Sequence, residues 1–187
     1  MISQLSPAAG KLLISEPFMD DPNFTRSVVL LTEYGEDGAL GFVINHPSLL
    51  VITDLIADFG SPDFPVYYGG PVAMDTLHFI HRCPDKISEG EEIAKGIYWG
   101  GNFETLKALI GQGTVTKEDV KFFVGYSGWG VEQLKTEMEG NTWIVSDKFD
   151  ADIIFSASEE QLWKEVLIHL GPKYAHISNF PQNPNLN

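Results

Sequence analysis

Short apolar runs set between turn formers are the main pattern along the chain. Residues 11–14 (Lys-Leu-Leu-Ile) and 27–32 are rich in Leu or β-branched side chains and bounded by Pro, Asp and Gly, which predicts strands. The stretch between them carries Pro17, Asp20, Asp21 and Pro22 and predicts a loop. Glu36-Asp37-Gly38 supplies turn chemistry, so 39–45 should return as the second strand of an antiparallel hairpin. Residues 66–68, 76–82, 121–126, 143–146 and 152–155 complete the predicted strands.

Apolar positions at helical spacing are fewer. Ser158 followed by Gln161 reads as a capping box. Leu162, Trp163, Val166, Leu167 and Leu170 then form one stripe that Gly171-Pro172 ends, with Glu160 and Lys164 one turn apart on the polar side. A second helix is expected from Asn102, with Phe103, Leu106, Leu109 and Ile110 inward and Gly111 as its stop. A third should follow Gly130, with Val131, Leu134 and Met138 inward, and a short helical turn is expected at 53–59. Strands outnumber helices without regular alternation, so the expected class is α+β in a single domain over 1–187, with 180–187 a frayed tail.

Charge narrows the range of partners. The 187 residues carry 12 Lys and Arg against 26 Asp and Glu, a net charge of −14. Only Arg26 and Arg82 are arginines, and no basic helix is available to lie against phosphates, so direct DNA binding is disfavoured. One cysteine, Cys83, makes no internal disulfide, no apolar run approaches the ~20 residues of a membrane span, and the first residues lack a secretory pattern. The expectation is a cytoplasmic protein without a membrane partner.

Candidate chemistry is sparse. Gly125-Tyr-Ser-Gly-Trp-Gly130 stands where a nucleophile elbow would, but Trp129 replaces the glycine that Gly-x-Ser-x-Gly requires, so a tight strand-to-helix turn is expected. His78 and His81 should point to opposite faces of a strand, and His81 with Cys83 makes only two ligands, so neither a metal nor another cofactor is expected. Tyr68-Gly69-Gly70-Pro71-Val72 lacks the lysine of a phosphate loop and reads as a close backbone approach. Gly100-Gly101 reads as a break before a helix, and Glu89, Glu91 and Glu92 as a solvated edge. Asn45-His46-Pro47 reads as a turn capped by the Asn side chain.

Four ordered blocks stand out: Gly10-Lys-Leu-Leu-Ile-Ser-Glu-Pro17 with Asp21-Pro22-x-Phe24-x-Arg26-Ser27-Val28, and Gly38-Ala-Leu-Gly-Phe-Val-Ile-Asn45. Next come Gly69-Gly70-Pro71-Val72 with His81, and Phe122-Phe-Val-Gly-Tyr-Ser-Gly-Trp-Gly130 with Gln133-Leu134 and Trp143. Together, in this order, the blocks resemble the YqgE/AlgH family of bacterial proteins. The chain departs from the family at His46, where members commonly have Arg, and at Ser127, where they commonly have Ala. The resemblance implies a strongly bent, mostly antiparallel sheet with flanking helices and no established activity, some members being labelled transcriptional regulators.

The expected function is a non-enzymatic module that binds a protein or small-molecule partner through Asn45, Gly69, Gly70, Pro71, His81, Tyr126 and Trp129. Trp129, the largest apolar surface near its turn, is also expected to be structural. The rivals are an enzyme using His81 or Ser127, and a regulator acting directly on DNA.

Overall fold

The computed structural model describes residues 3, 5–60, 64–156 and 158–181. Among these, ten strands form one open, mostly antiparallel sheet. In chain order they are β1 (Leu12–Ser15), β2 (Val28–Gly35), β3 (Gly38–Val43), β4 (Pro47–Val51), β5 (Pro65–Tyr68), β6 (Val72–His81), β7 (Glu91–Ala94), β8 (Ile97–Trp99), β9 (Val120–Trp129) and β10 (Trp143–Ser146). The helices are α1 (Ile52–Leu55), α2 (Phe103–Gly111), α3 (Gln133–Glu139), α4 (Ala151–Ser156), α5 (Glu159–His169) and α6 (Pro172–Ala175). The strand order is β10-β1-β2-β3-β9-β6-β8-β7, with β5 pairing parallel to β9 and β4 hanging on β5. The fold is α+β.

Strand parity explains the continuous apolar runs. Leu12, Ile14, Val28, Leu30, Phe42 and Phe123 face the layer built by Ile154, Phe155, Leu162, Trp163, Val166 and Leu167. Their neighbours Leu13, Val29, Leu31 and Val43 face Trp129, Leu134, Met138 and Trp143 on the opposite side. Farther along that opposite side, Phe122, Val124, Val66 and Phe79 pack on Ile52, Leu106 and Ile110. A sheet covered on both faces needs hydrophobic residues at every position rather than at alternate ones.

Several local expectations change. Residues 152–155 are helical, not extended: the Asp150 carboxylate accepts from the Ile153 N–H at 3.0 Å and starts α4, which buries the adjacent Ile154 and Phe155. Three apolar residues in a row carry no period to separate the two states. Ser158 does precede α5, but its hydroxyl makes no cap bond. Asn102 caps α2 as expected, accepting from the Thr105 N–H at 2.9 Å. Val131 is exposed in the turn before α3, whose start is tied back by the Gln133 side chain accepting from the Gly130 N–H.

β4, β7 and β8 escape the sequence pattern, being short and half-exposed. The expected strand at 76–82 begins earlier, at Val72. Of the expected frayed tail, 182–187 lie outside the described residues, whereas Phe180 stacks on Phe18 with ring centroids 5.8 Å apart. The largest correction concerns Gly125–Gly130. There is no strand-to-helix turn at Ser127, because β9 runs on to Trp129. Beyond Gly125 it takes a new partner, pairing Ser127, Gly128 and Trp129 with Gly41, Leu40 and Ala39 of β3.

Candidate ligand groove

The glycine-rich blocks converge on a backbone crossing. Val72 of β6 pairs with Tyr126 and Leu77 with Val124, so residues 73–76 bulge out opposite the single Gly125. Gly125 holds φ +66°, and a Cβ there would lie 2.6 Å from the Gly70 carbonyl oxygen and 2.8 Å from that of Val72. A Cβ on Gly69 would lie 2.4 Å from the Gly125 carbonyl oxygen. The Gly69 carbonyl accepts from the Val43 N–H at 2.8 Å and from the Ser127 hydroxyl at 3.0 Å. The expected close approach is therefore present, and Ser127 is fully buried within it.

His81 lies elsewhere. It pairs with Val120 at the other end of β9, seven residues from Ser127, or about 20 Å along a strand. It is fully buried, stacked on Tyr98, and its Nδ1 accepts from the Cys83 N–H at 3.2 Å. Burial lowers its pKa against the opposing influence of the Gly100 carbonyl, and Nε2 has no partner in hydrogen-bond geometry among the described residues. His78 is on the opposite face, against Phe42 and Tyr126, as strand parity requires. No group of three or more His, Cys, Asp or Glu among the described residues could hold a metal ion. Trp129 is 5% exposed, stacked on Phe24 and edge-on to Trp143, and both indole N–H groups donate to one Glu137 carboxylate oxygen, at 2.9 and 2.7 Å.

A chemically varied groove of about 430 Å³ lies between the β3–β4 connection and the start of α5. Thr25, Arg26, Asn45, His46 and Pro47 form one wall, and Glu159, Glu160, Gln161, Trp163 and Lys164 the other. Arg26 is the unusual member. Its backbone holds φ +49°, a left-handed conformation that costs a non-glycine residue about 1–3 kcal/mol unless the surroundings enforce it.

Asn45 does the enforcing. Its Nδ2 donates to the Arg26 carbonyl at 2.9 Å and its Oδ1 accepts from the Val28 N–H at 2.8 Å. Asn45 thus ties two chain segments together rather than capping its own turn. His46 Nε2 lies 3.1 Å from both the Thr25 carbonyl and the Ser27 hydroxyl, which fixes the N–H on that nitrogen. Burial lowers the His46 pKa, against the opposing Thr25 carbonyl.

The side chain held this way is a cation without a counter-ion among the described residues. The Arg26 guanidinium sits 4.7 Å above the Trp163 ring, one Nη donates to the Phe180 carbonyl, and Nε finds no partner among the described residues. Ion pairs among those residues involve Arg82 and Lys135, never Arg26 or Lys164. Glu159 is already committed: the Tyr67 hydroxyl donates to it, and the buried Lys121 ammonium lies 4.5 Å from the Tyr67 ring. Burial works against the Glu159 charge, but the Tyr67 hydroxyl, its own N–H and the Lys121 charge outweigh it and hold the carboxyl below its usual value. Burial pushes Lys121 down to about 8, with Glu159 opposing.

A second groove of about 410 Å³ adjoins the first across His46, lined also by Pro22, Asn23, Tyr68, Gly70, Pro71 and Met74. Of the sequence candidates, Asn45 therefore reaches the first groove and Gly70 and Pro71 the second. Gly69 and Tyr126 lie in the crossing, while His81 and Trp129 stand apart. Arg26, Trp163 and Lys164 were missed as site residues, although the scarcity of arginine was a usable signal.

Comparison with known proteins agrees with this architecture. A solution structure of AlgH from Pseudomonas aeruginosa is 28% identical with a TM-score of 0.72, covering 96% of this chain and 98% of that one. A crystal structure from Corynebacterium diphtheriae shares the fold at 20% identity with a TM-score of 0.76, covering 95% of each chain. A UPF0301 protein of Bacteroides thetaiotaomicron is 43% identical over 182 residues, 97% of this chain and 92% of the relative. Another, of Cytophaga hutchinsonii, is 41% identical over 179 residues, 95% of this chain and 98% of the relative. A family model described as AlgH-like (DUF179) matches residues 12–175, and on that span the chain belongs to the AlgH-like family.

Proposed function

We infer that the protein is a cytoplasmic, non-enzymatic binding module whose first groove takes a small anionic ligand, a carboxylate or a phosphate. One observation carries this reading: Arg26 is strained, held by Asn45, stacked on Trp163 and, among the described residues, without a carboxylate partner, in a chain of net charge −14. Acidic side chains are abundant enough to neutralise an arginine that needed only neutralising. An exogenous anion would supply a charge-assisted hydrogen bond to the guanidinium, whose Nε–H has no partner among the described residues, and Lys164 would add a second positive charge at the rim. Its Glu160 neighbour makes no ion pair with it among the described residues.

The separation of His81 from Ser127 argues against their acting together as base and nucleophile. The charge argues against direct regulation of DNA, so a regulatory role would run through ligand or partner binding. The test is an NMR titration with inorganic phosphate, a small dicarboxylate and a nucleoside monophosphate. It follows the Arg26 Nε–H and Trp163 indole N–H signals. Saturable shifts at both are expected with at least one of these anions. Shifts at neither, with all three, would remove the reading.

A further inference from the structure

The second groove begins where the first ends. His46 lines both, and its Nε2 donates to the Thr25 carbonyl at 3.1 Å, so the shared ring is fixed in place. The two differ in chemistry. Arg26 and Lys164 line the first, whereas no Asp, Glu, Lys or Arg lines the second, where Pro22, Tyr68, Pro71 and Met74 supply the apolar surface. Tyr68 and Met74 are 42% and 45% exposed, an apolar surface open to solvent next to a groove that holds a cation.

Backbone geometry puts Met74 there. The bulge at residues 73–76 opens with Ala73 at φ +46°, a left-handed conformation like that of Arg26. The Thr76 hydroxyl donates to the Ala73 carbonyl at 2.7 Å and holds the turn. Bulges re-aim side chains, and this one lays the Met74 sulfur over Gly125, where a Cβ would come within 2.9 Å of it. One strained residue therefore presents a cation to the first groove, and another stands beside the apolar side chain of the second.

Size and hydrogen bonding select the kind of occupant. At about 430 and 410 Å³, the two grooves are on the scale of small-molecule sites. An extended peptide would need main-chain partners, and β4, which starts at Pro47 in the first groove, offers little. Pro47 has no N–H, and the Leu50 and Val51 N–H groups already donate to the Ser48 hydroxyl and the Asp54 carboxylate, at 3.0 and 2.9 Å. Exposed Asp21 and Asp75 adjoin Pro22 and Met74 in sequence, so a second anionic group at the far end of a ligand would be disfavoured.

We propose that the two grooves form one site for an amphipathic small molecule, with a single phosphate or carboxylate head at Arg26 and Lys164 and an apolar body that passes His46 to lie against Tyr68, Pro71 and Met74. This deepens the anion reading and rests on it. The body removes apolar surface from water, so affinity grows with its length.

The experiment uses the full chain, with methyl phosphate, hexyl phosphate and hexanol as probes. NMR follows the Arg26 Nε–H, the Trp163 indole N–H and the Met74 methyl group. Methyl phosphate is expected to shift the Arg26 and Trp163 signals and leave Met74 still. Hexyl phosphate should shift all three along one saturation curve, binding at least tenfold more tightly than methyl phosphate and than hexanol. Met74→Ser should cut the advantage of hexyl over methyl phosphate at least threefold. Equal affinities for the two phosphates, with Met74 still, would overturn the proposal and leave the anion reading standing. Hexanol as tight as hexyl phosphate, or an advantage unchanged by Met74→Ser, would also overturn it. So would Arg26 and Trp163 signals that none of the probes moves, and the phosphate, dicarboxylate and nucleotide titration then decides whether the anion reading falls as well.

Discussion

The glycine crossing and the Arg26 groove adjoin across a few residues of β3 and β5, yet they are built on opposite principles. At the crossing Gly69 spends its backbone groups internally: its N–H donates to the Val124 carbonyl, its carbonyl accepts twice, and a Cβ on Gly69 or Gly125 would enter backbone atoms. At the groove an arginine is held in a strained conformation with its Nε–H unspent among the described residues. Close packing without remaining capacity marks a part that makes the fold. Strain with remaining capacity marks a part available to a ligand. Motifs conspicuous in the sequence therefore belong mainly to the first category.

The sharpest way to break that contrast is at Trp129. If the Gly125–Gly130 block serves the fold, Trp129→Ala should cost about 3–5 kcal/mol in urea unfolding, since it empties a buried site and removes one of the two indoles on Glu137. A change under about 1 kcal/mol would mark the ring as dispensable to the fold. Next, Gly69→Ala should cost about 3 kcal/mol, because the added methyl meets backbone that cannot yield. Gly130→Ala, where a Cβ meets nothing within 4 Å, should stay within about 0.5 kcal/mol. Comparable losses at the two glycines would dissolve the argument from close approach.

A smaller effect comes from Lys121, buried beneath the groove wall. Its folded pKa of about 8 lies below the 10.5 of the free side chain, so between those values the unfolded chain retains a proton that the folded chain has released. Stability should accordingly rise with pH from about 8, by on the order of 3 kcal/mol if the whole window were traversed. Tyr67 reverses the trend above pH 10: burial first, then Glu159, raises its pKa, so the unfolded chain ionises it sooner. Lys121→Met should flatten the rise and add about 1–2 kcal/mol at pH 7, since Glu159 keeps the Tyr67 hydroxyl. An unchanged pH profile would place the titration elsewhere.

What the sequence makes legible follows the same division. The hairpin at Asp37-Gly38, the Asn102 cap and the Leu162–Leu167 stripe are local signals, and each appears in the structure. The continuation of β9 past Gly125 depends on β3, more than eighty residues away in sequence, and no local pattern announces it. The groove is harder still to read. Arg26, Asn45 and Trp163 come from three distant segments, and neither the left-handed φ of Arg26 nor the absence of a carboxylate beside it among the described residues has a signature in a run of letters.

The central claim is that Arg26 is held in strain for a ligand rather than for the fold. Arg26→Gly tests it most directly, with anion affinity and unfolding free energy measured on the same variant. Glycine relieves about 1–3 kcal/mol of backbone strain, against its own entropy and the lost contacts with Trp163 and Phe180, each about 1 kcal/mol. The expected result is stability within about 1 kcal/mol of the parent, the range these opposing effects leave. Affinity for the anion that shifts the Arg26 and Trp163 signals should fall at least tenfold. Retained anion affinity, or a large loss of stability, would contradict the account.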